Sequence, residues 1–399
     1  MSKFFSSLRS IVKTYTGSQA PSPTSSSNAF SFTAHRLLKS EPQSRYEPGG
    51  YHRVSVGELY NKRYEVVRQL GWGQYSTVWL VKDLRDNKLA AMKVMVADIT
   101  RSETKGDWDE LDRLTTLEVT NPRAPGFGHV CQLLDSFTHE GPNGNHICLI
   151  IEAISFSLSD VFRSSGGKVP LPLPLIKRVC SHTLLALQYL HEECGIVHTD
   201  IKDDNILVGG MPLASDNEEP AVVTEADLMS ATFKLSDFGA ANTMRNRFAQ
   251  MIQPESLRAP EVIVGAEWDT KADIWNLGCL IYEFARGTKL FDPHWDNAQS
   301  GMSPSQTHLA QISGLCGDFP SAMLSEGSRT QQYFDEQGAL RQGAGRYHIT
   351  LRDLLMRAGH SLQDVEEISK FLLKMLVIDP TQRWTATQLL GHPWLRTTR

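Results

Sequence analysis

Apolar and polar positions alternate through RYEVVRQLGWGQYSTVWLVKDLRDNKLAAMKVMVA (63–97), as on strands with one buried face. The pattern predicts three strands, with turns at Gly71–Gly73 and Arg85–Asn87. CQLLDSFT (131–138) and HICLIIEAI (146–154) read as two more strands, separated by the polar turn EGPNGN. Past residue 174 the period becomes helical. LPLIKRVCSHTLLALQYLHEE carries apolar residues three and four apart, and helical spacing then dominates 270–290, 305–316 and 365–394. A small β-rich lobe followed by a larger helical lobe predicts an α+β, two-lobed fold. There is no internal repeat. Two stretches interrupt the pattern as insertions. GGMPLASDNEEPAVVTEADLMS (209–230) is acidic and weakly patterned, and a longer one begins at FDPHWDNAQSGMSPSQ and runs to about residue 360.

Residues 1–50 have a different texture. GSQAPSPTSSS and SSSNAFSFTAH are rich in Ser, Thr, Pro and Gly, and such a segment buries too little surface to offset its ordering entropy. The segment is expected to be a disordered tail. FFSSLRSIVKTY has the spacing of a short basic amphipathic helix. Lys3, Arg9, Lys13, Arg36 and Lys39 all precede the first acidic residue, Glu41, which is also the composition of an organellar transit peptide.

The remaining composition narrows the function. With 41% hydrophobic and 21% charged residues in 399, a packed core is affordable. A net charge of −5 is too mild to imply nucleic-acid binding through bulk charge, so no direct nucleic-acid partner is expected. The six cysteines form no C-x-x-C pair and sit mostly in apolar runs, as buried thiols in a reducing compartment do. No apolar run is long enough for a membrane span, and no membrane partner is expected.

Four stretches carry chemistry. In LGWGQYSTV (70–78) a strand enters a glycine-bearing turn, and glycines permit positive φ and let backbone N–H groups close on phosphate oxygens. An ordinary hairpin with two glycines accounts for the stretch equally well, and the third glycine of G-x-G-x-x-G is Ser76. Lys93 lies among apolar residues in AAMKV; a buried ammonium needs an anionic partner, whereas a lysine at a strand end snorkels. HTDIKDDNIL (198–207) follows a helix and is flanked by the short apolar runs GIV and ILV. There the Asp200 carboxylate can accept a hydroxyl proton, Lys202 can neutralise a moving phosphoryl group, and the Asn205 carbonyl can ligate Mg²⁺. A solvated acidic turn explains Asp203 and Asp204 but not the spacing of the others. In KLSDFGAAN (234–242), Asp237 ends a strand before Phe-Gly, placed to hold a metal that bridges phosphates.

Order and spacing are far more specific than any fragment. A glycine loop, a Lys about twenty residues on, H-x-D-x-K-x-x-N, D-F-G about thirty further and A-P-E within another twenty-five make up the protein-kinase set. The chain resembles a eukaryotic-type protein kinase over roughly residues 51–395, and most closely the SR-protein kinase branch of the CMGC group. The finer likeness rests on GGYHRVSVGELYNKRYEVVRQLGWGQYSTVWL, on PLPLIKRVCSHTLLALQYLHEECGIVHTDIKDDNIL, on Arg258 before A-P-E and on QQYFDEQGAL (331–340). The resemblance implies a two-lobed fold, with an N-lobe over about 51–155 and a C-lobe over about 156–395.

The resemblance implies roles as well. Leu70, Gly71, Trp72, Gly73, Gln74, Tyr75, Ser76, Thr77 and Val78 would form the nucleotide loop, and Lys93 would hold the α- and β-phosphates of ATP. Asp200 would orient and deprotonate the substrate hydroxyl, Lys202 would stabilise the transferring phosphoryl, and Asn205 and Asp237 would bind Mg²⁺. Glu261 would pair with Arg383, and Asp273 would brace the catalytic loop. The implied partner is a protein substrate, Arg-Ser-rich in this branch, met by a monomeric enzyme in cytoplasm or nucleus; a mitochondrial address is the alternative suggested by the acid-poor N-terminus.

The chain departs from the family pattern in several places. Thr199 stands where most kinases have an Arg that binds a phosphate on the activation loop, so activity without activation-loop phosphorylation is expected. In DWDELDRLTTL (107–117) the family pattern places Asp112 opposite Lys93, with Glu110 half a turn away. The long spacer of several SR-protein kinases is absent, with only 209–230 in its place. The insert at 296–357 mixes Asp296, Asp318, Asp335 and Glu336 with Arg329, Arg341, Arg346, Arg352 and Arg357, and so shows no plain acidic groove for an Arg-rich substrate. Asp112 and Ser76 together support a rival reading, a catalytically weak kinase fold acting as a scaffold. A small-molecule kinase is disfavoured by SLRAPE and the helical insert.

Overall fold

The computed structural model describes residues 31–33, 41–104, 110–154, 156–164, 170–211, 213, 222–244, 249–295, 297–342 and 349–396. Its N-terminal lobe is an antiparallel sheet of β2 (Leu59–Tyr60), β3 (Tyr64–Gly73), β4 (Ser76–Asp83), β5 (Lys88–Met95), β6 (Leu133–Gly141) and β7 (Gly144–Glu152). The spatial order is β2-β3-β4-β5-β7-β6. The three strands expected over 63–97 and the two that follow are all present. Alternation sorts their side chains: Trp79, Val81, Met92 and Val94 pack on one face, and Leu70, Leu80 and Ala91 on the other. The first turn falls elsewhere than expected. Gly71 and Gly73 remain in the ladder, paired with Val78 and Ser76, and the chain reverses at Gln74–Tyr75. Neither glycine has positive φ. A Cβ at Gly73 would meet nothing within 4 Å, so this glycine leaves the surface open rather than relieving a clash.

The boundary expected at residue 50 lies inside a folded stretch. Residues 41–50 pack against the N-terminal lobe, with a single helical turn at Gln43–Arg45. Further back, β1 (Ser31–Thr33) pairs with β10 (Val222–Thr224). Those strand residues correct the expectation of a wholly disordered tail; the amphipathic stretch 4–15 lies outside the described residues. The insertion at 209–230 ends in β10 and a short helix, Glu225–Ser230. Thr224 caps that helix, accepting from Asp227 N while the Asp227 carboxylate accepts from Thr224 N.

The C-terminal lobe is built around two long helices, Leu173–Gln188 and Lys271–Arg286. The second is buried almost all round, as its apolar composition requires. The first packs Leu175, Ile176, Val179, Leu184 and Leu187 inward and meets a glycine-bearing turn at very short range: a Cβ at Gly126 would lie 2.0 Å from the Leu185 carbonyl oxygen. Two short ladders form the floor between the lobes. β8 (Ile196–Val197) pairs with β12 (Asn242–Thr243), and β9 (Ile206–Gly209) with β11 (Thr232–Leu235). These are the braces expected on either side of residues 198–205. In the insert, Arg329 donates to the Val262 and Ile263 carbonyls, so its charge closes a helix end rather than lining a groove. Asp296 and Arg346 lie outside the described residues.

Candidate active site

Between the lobes lies a cleft of about 430 Å³. Leu70, Gly71, Trp72, Gly73, Ser76, Val78 and Lys93 line its upper wall, and Lys202, Asn205 and Asp237 its lower wall. Ala91, Ile151 and Leu207 complete an apolar slot that suits a planar base. Three of the expected nucleotide residues do not line the cleft with their side chains. Gln74 and Tyr75 form the hairpin tip, and Thr77 belongs to the opposite face of the sheet, where its hydroxyl accepts from Trp79 Nε1 at 3.0 Å. Strand alternation makes Thr77 a structural residue once Ser76 and Val78 face the cleft.

Lys93 projects from β5 into the cleft with two anionic partners, Glu110 Oε1 at 2.6 Å and Asp237 Oδ1 at 2.9 Å. Burial opposes its charge, but the two carboxylates outweigh burial and raise its pKa. Burial raises the Glu110 pKa despite the neighbouring ammonium. The positive charge of Lys93 holds Asp237 down at about 2, so its carboxylate is ionised at neutral pH. Asp112, the acid the family pattern placed here, is exposed. Helix phase decides between them. Glu110, Arg113, Leu114 and Leu117 share the buried face of the Glu110–Val119 helix, and Asp112 falls on the far side. Leu114 and Leu117, four and seven residues beyond Glu110, are the sequence signal that identifies it. With Glu110 in place, the shorter Asp112 no longer supports the scaffold reading.

The lower wall is a rigid platform. The Asp273 carboxylate accepts from the backbone N–H groups of His198 and Thr199, both at 2.8 Å, and lies 2.9 Å from His191 Nε2. His198 donates from Nε2 to the Ser236 carbonyl and accepts from Asp200 N through Nδ1, which defines its tautomer. Thr199 has φ 65°, an unusual conformation for a β-branched residue, and its hydroxyl donates to the Ala240 carbonyl at 2.6 Å. Lys202 Nζ lies 2.7 Å from Asp200 Oδ2. The Asn205 amide nitrogen donates to the carbonyl and the carboxylate of Asp200, which leaves its own oxygen as the remaining ligand. Asp237 has φ 63° where β11 gives way to the Phe238–Gly239 turn, and Arg113 donates to both carbonyls of that turn. Arg113 belongs to no motif; its one sequence signal is its place three residues beyond Glu110, on the same helix face.

The segment between Asp237 and Glu261 is held, where it is described, largely through backbone carbonyls and N–H groups. Gln253, at φ 71°, accepts from Ala259 N and donates to the Ala272 carbonyl. Arg258 donates to the Ile252 and Gln253 carbonyls. Glu261 and Arg383 form the expected pair, bidentate at 2.8 and 3.0 Å and fully buried.

The protein kinase domain family matches residues 64–395. The chain is similar to the serine/threonine-protein kinase SRPK of Physarum polycephalum, at 32% identity across 88% of this chain and 90% of that protein. It is 28% identical to the protein kinase dsk1 of Schizosaccharomyces pombe, across 88% of this chain and 84% of that protein. It is 25% identical to the SRSF protein kinase 3 of Homo sapiens, across 90% and 92% of the two chains.

Proposed function

The chain belongs to the protein kinase family, in its SR-protein kinase branch, and from that premise we propose how its residues carry the reaction and which proteins it modifies. It is an ATP-dependent serine/threonine protein kinase. Transfer of the γ-phosphoryl forms a bond from the substrate hydroxyl oxygen to phosphorus and breaks the bond to the leaving ADP oxygen. Asp200 takes the hydroxyl proton, and the Lys202 ammonium, 2.7 Å from Asp200, stabilises charge on the phosphoryl in flight. Lys93, oriented by Glu110, holds the nucleotide phosphates.

Asn205 and Asp237 would hold Mg²⁺. They offer one amide and one carboxylate oxygen on the same wall, the small set of hard ligands that Mg²⁺ takes when phosphates complete its shell. Among the described residues no cluster of three or more His, Cys, Asp or Glu gathers at metal-binding distance, and this arrangement needs none. When bound, the ion neutralises phosphate charge. The observation that carries the catalytic reading is the pairing of Lys93 with Glu110 across the cleft from the Asp200–Lys202–Asn205 platform.

The substrate class is serine in Arg-Ser-rich protein segments. Support comes from family membership and from the human relative, whose name assigns it SRSF proteins. The enzyme acts as a monomer, and its unpaired cysteines suit the reducing cytoplasm or nucleus. Catalysis needs no phosphate on the activation segment, because Thr199 holds the Ala240 carbonyl directly.

The test is phosphate transfer from labelled ATP to an Arg-Ser repeat peptide, beside an Arg-Pro-Ser peptide, with the Asp200→Ala protein as control. Transfer to the repeat peptide that disappears in the control supports both reaction and substrate class. Transfer to neither peptide, with ATP still bound, would overturn the substrate class.

A further inference from the structure

The segment ahead of the sheet is fastened to the nucleotide loop. Tyr51 is buried, and its hydroxyl donates to the Gly73 carbonyl at 2.6 Å. Arg45 Nη2 donates to the Gln74 carbonyl at 2.7 Å, with its guanidinium 4.9 Å from the centre of the Tyr51 ring. Val96 N donates to the next carbonyl, that of Tyr75, at 2.9 Å. Three successive carbonyls of the hairpin tip therefore each have a fixed donor, two of them on the strap.

The segment is itself anchored. Tyr51 N donates to the Arg45 carbonyl at 2.9 Å, closing the turn between the two residues, and a Cβ at Gly50 would lie 2.0 Å from that same oxygen. Gly49 N donates to the Asn143 carbonyl, and Asn143 Nδ2 donates back to the Tyr51 carbonyl at 2.7 Å. Ala97 N and Asp98 N donate to the Gly50 and Gly49 carbonyls. The strap thus ties the loop to the β6–β7 hairpin and to the chain leaving β5.

In a planar trans peptide the N–H points opposite the C=O. The donors that fix the Gly73, Gln74 and Tyr75 carbonyls therefore also fix the N–H groups of Gln74, Tyr75 and Ser76, each antiparallel to its carbonyl. Gly73 and Ser76 line the cleft. We propose that Tyr51 and Arg45 are positioning residues for ATP, fixing the peptide planes of the loop so that its amides are set for the phosphates before nucleotide arrives. The proposal rests on the kinase reading and adds residues outside the glycine loop to its nucleotide machinery. Gly73 is only half-buried, so water can replace the Tyr51 hydroxyl. The effect of its loss then falls on loop position rather than on folding.

The experiment compares Tyr51→Phe, Arg45→Met and Arg45→Lys with the unaltered protein. It measures the Kd of a non-hydrolysable ATP analogue, the KM values for ATP and for peptide, and the melting temperature without nucleotide. Tyr51→Phe and Arg45→Met are expected to weaken nucleotide binding about fivefold, the worth of one hydrogen bond, and to raise the KM for ATP alike. The KM for peptide and the melting temperature stay unchanged, and Arg45→Lys, which keeps a donor, recovers part of the loss. Unchanged analogue Kd in both variants overturns the proposal. So does a fall in melting temperature with both KM values rising together, since that marks a structural role. Failure of the kinase reading would appear separately, as no phosphate transfer by the unaltered protein.

Discussion

Lys93 Nζ lies 2.6 Å from Glu110 Oε1, and Glu110 reaches it from the first turn of a helix whose Asp112 faces solvent. The acid that orients the phosphate-binding lysine is therefore two residues earlier than the family pattern suggests. Without Glu110, Lys93 keeps its contact with Asp237 and loses the carboxylate that orients it from the helix. Glu110→Gln is expected to lower kcat/KM for ATP by about 10- to 100-fold, roughly the cost of misplacing one charged group. Asp112→Asn should stay within about twofold, as exposed substitutions do. Steady-state kinetics on the two variants decide the assignment; a larger loss in Asp112→Asn would reverse it.

Thr199 carries no charge to meet a phosphate, and Gln253 and Arg258 already hold the chain ahead of the A-P-E sequence through backbone carbonyls. Phosphatase-treated protein should retain its full rate, and Thr243→Ala and Ser256→Ala should each retain it within about twofold. Loss of activity on phosphatase treatment, restored by phosphate at Thr243 or Ser256, would show that the segment needs the charge after all.

The Glu261–Arg383 pair is buried on both sides, with Arg383 also donating to the Lys271 and Val377 carbonyls. Arg383→Met leaves a buried carboxylate and several carbonyls without their donor. The loss should be about 3–5 kcal/mol, read as a lower denaturant midpoint at unchanged slope. A midpoint within error of the unaltered protein would mean that the site relaxes around the charge.

His52, His139 and His146 crowd together in the N-terminal lobe, the His52 ring centre lying 4.5 and 5.0 Å from those of the other two. Burial, then the neighbouring His139 and His146, lowers the His52 pKa to about 4 from the ordinary 6.5, with Glu58 opposing weakly. A group whose folded pKa is depressed contributes stability above its unfolded pKa and loses it as pH falls through the folded value. The loss therefore runs from pH 6.5 down to about 4 and is of order 3 kcal/mol. Melting temperature should fall across that window, and the fall should be smaller in His52→Gln. Parallel pH profiles for the two proteins would assign the acid sensitivity to other groups.

Much of the site was legible because its chemistry is local. Lys93, Asp200, Lys202, Asn205 and Asp237 each stand in a short run that also sets the local backbone; four of them line the cleft, and Asp200 lies within hydrogen-bond reach of Lys202 and Asn205 there. Thr77 was misplaced because a loop motif assigns a run of residues to one role, whereas a strand splits that run between two faces. The glycine turn was placed too early because glycine permits a turn without requiring one, and here the ladder continues through Gly71 and Gly73 to Gln74–Tyr75. The fold of residues 41–50 was missed because their anchors, Asn143, Ala97 and Asp98, lie far along the chain and bind backbone groups that leave no trace in residue type.

Periodicity and motif order by themselves determined the two lobes, the family and the set of reacting groups, since hydrophobic spacing and nearest-neighbour chemistry act over a few residues. Tertiary structure decided between Glu110 and Asp112, where helix spacing and the family pattern point to different acids, and it alone decided which residues of the nucleotide loop face the cleft and what holds that loop. Each of those outcomes depends on the phase of a helix, the face of a strand, or a hydrogen bond between segments distant in the chain, and packing of the whole core sets all three.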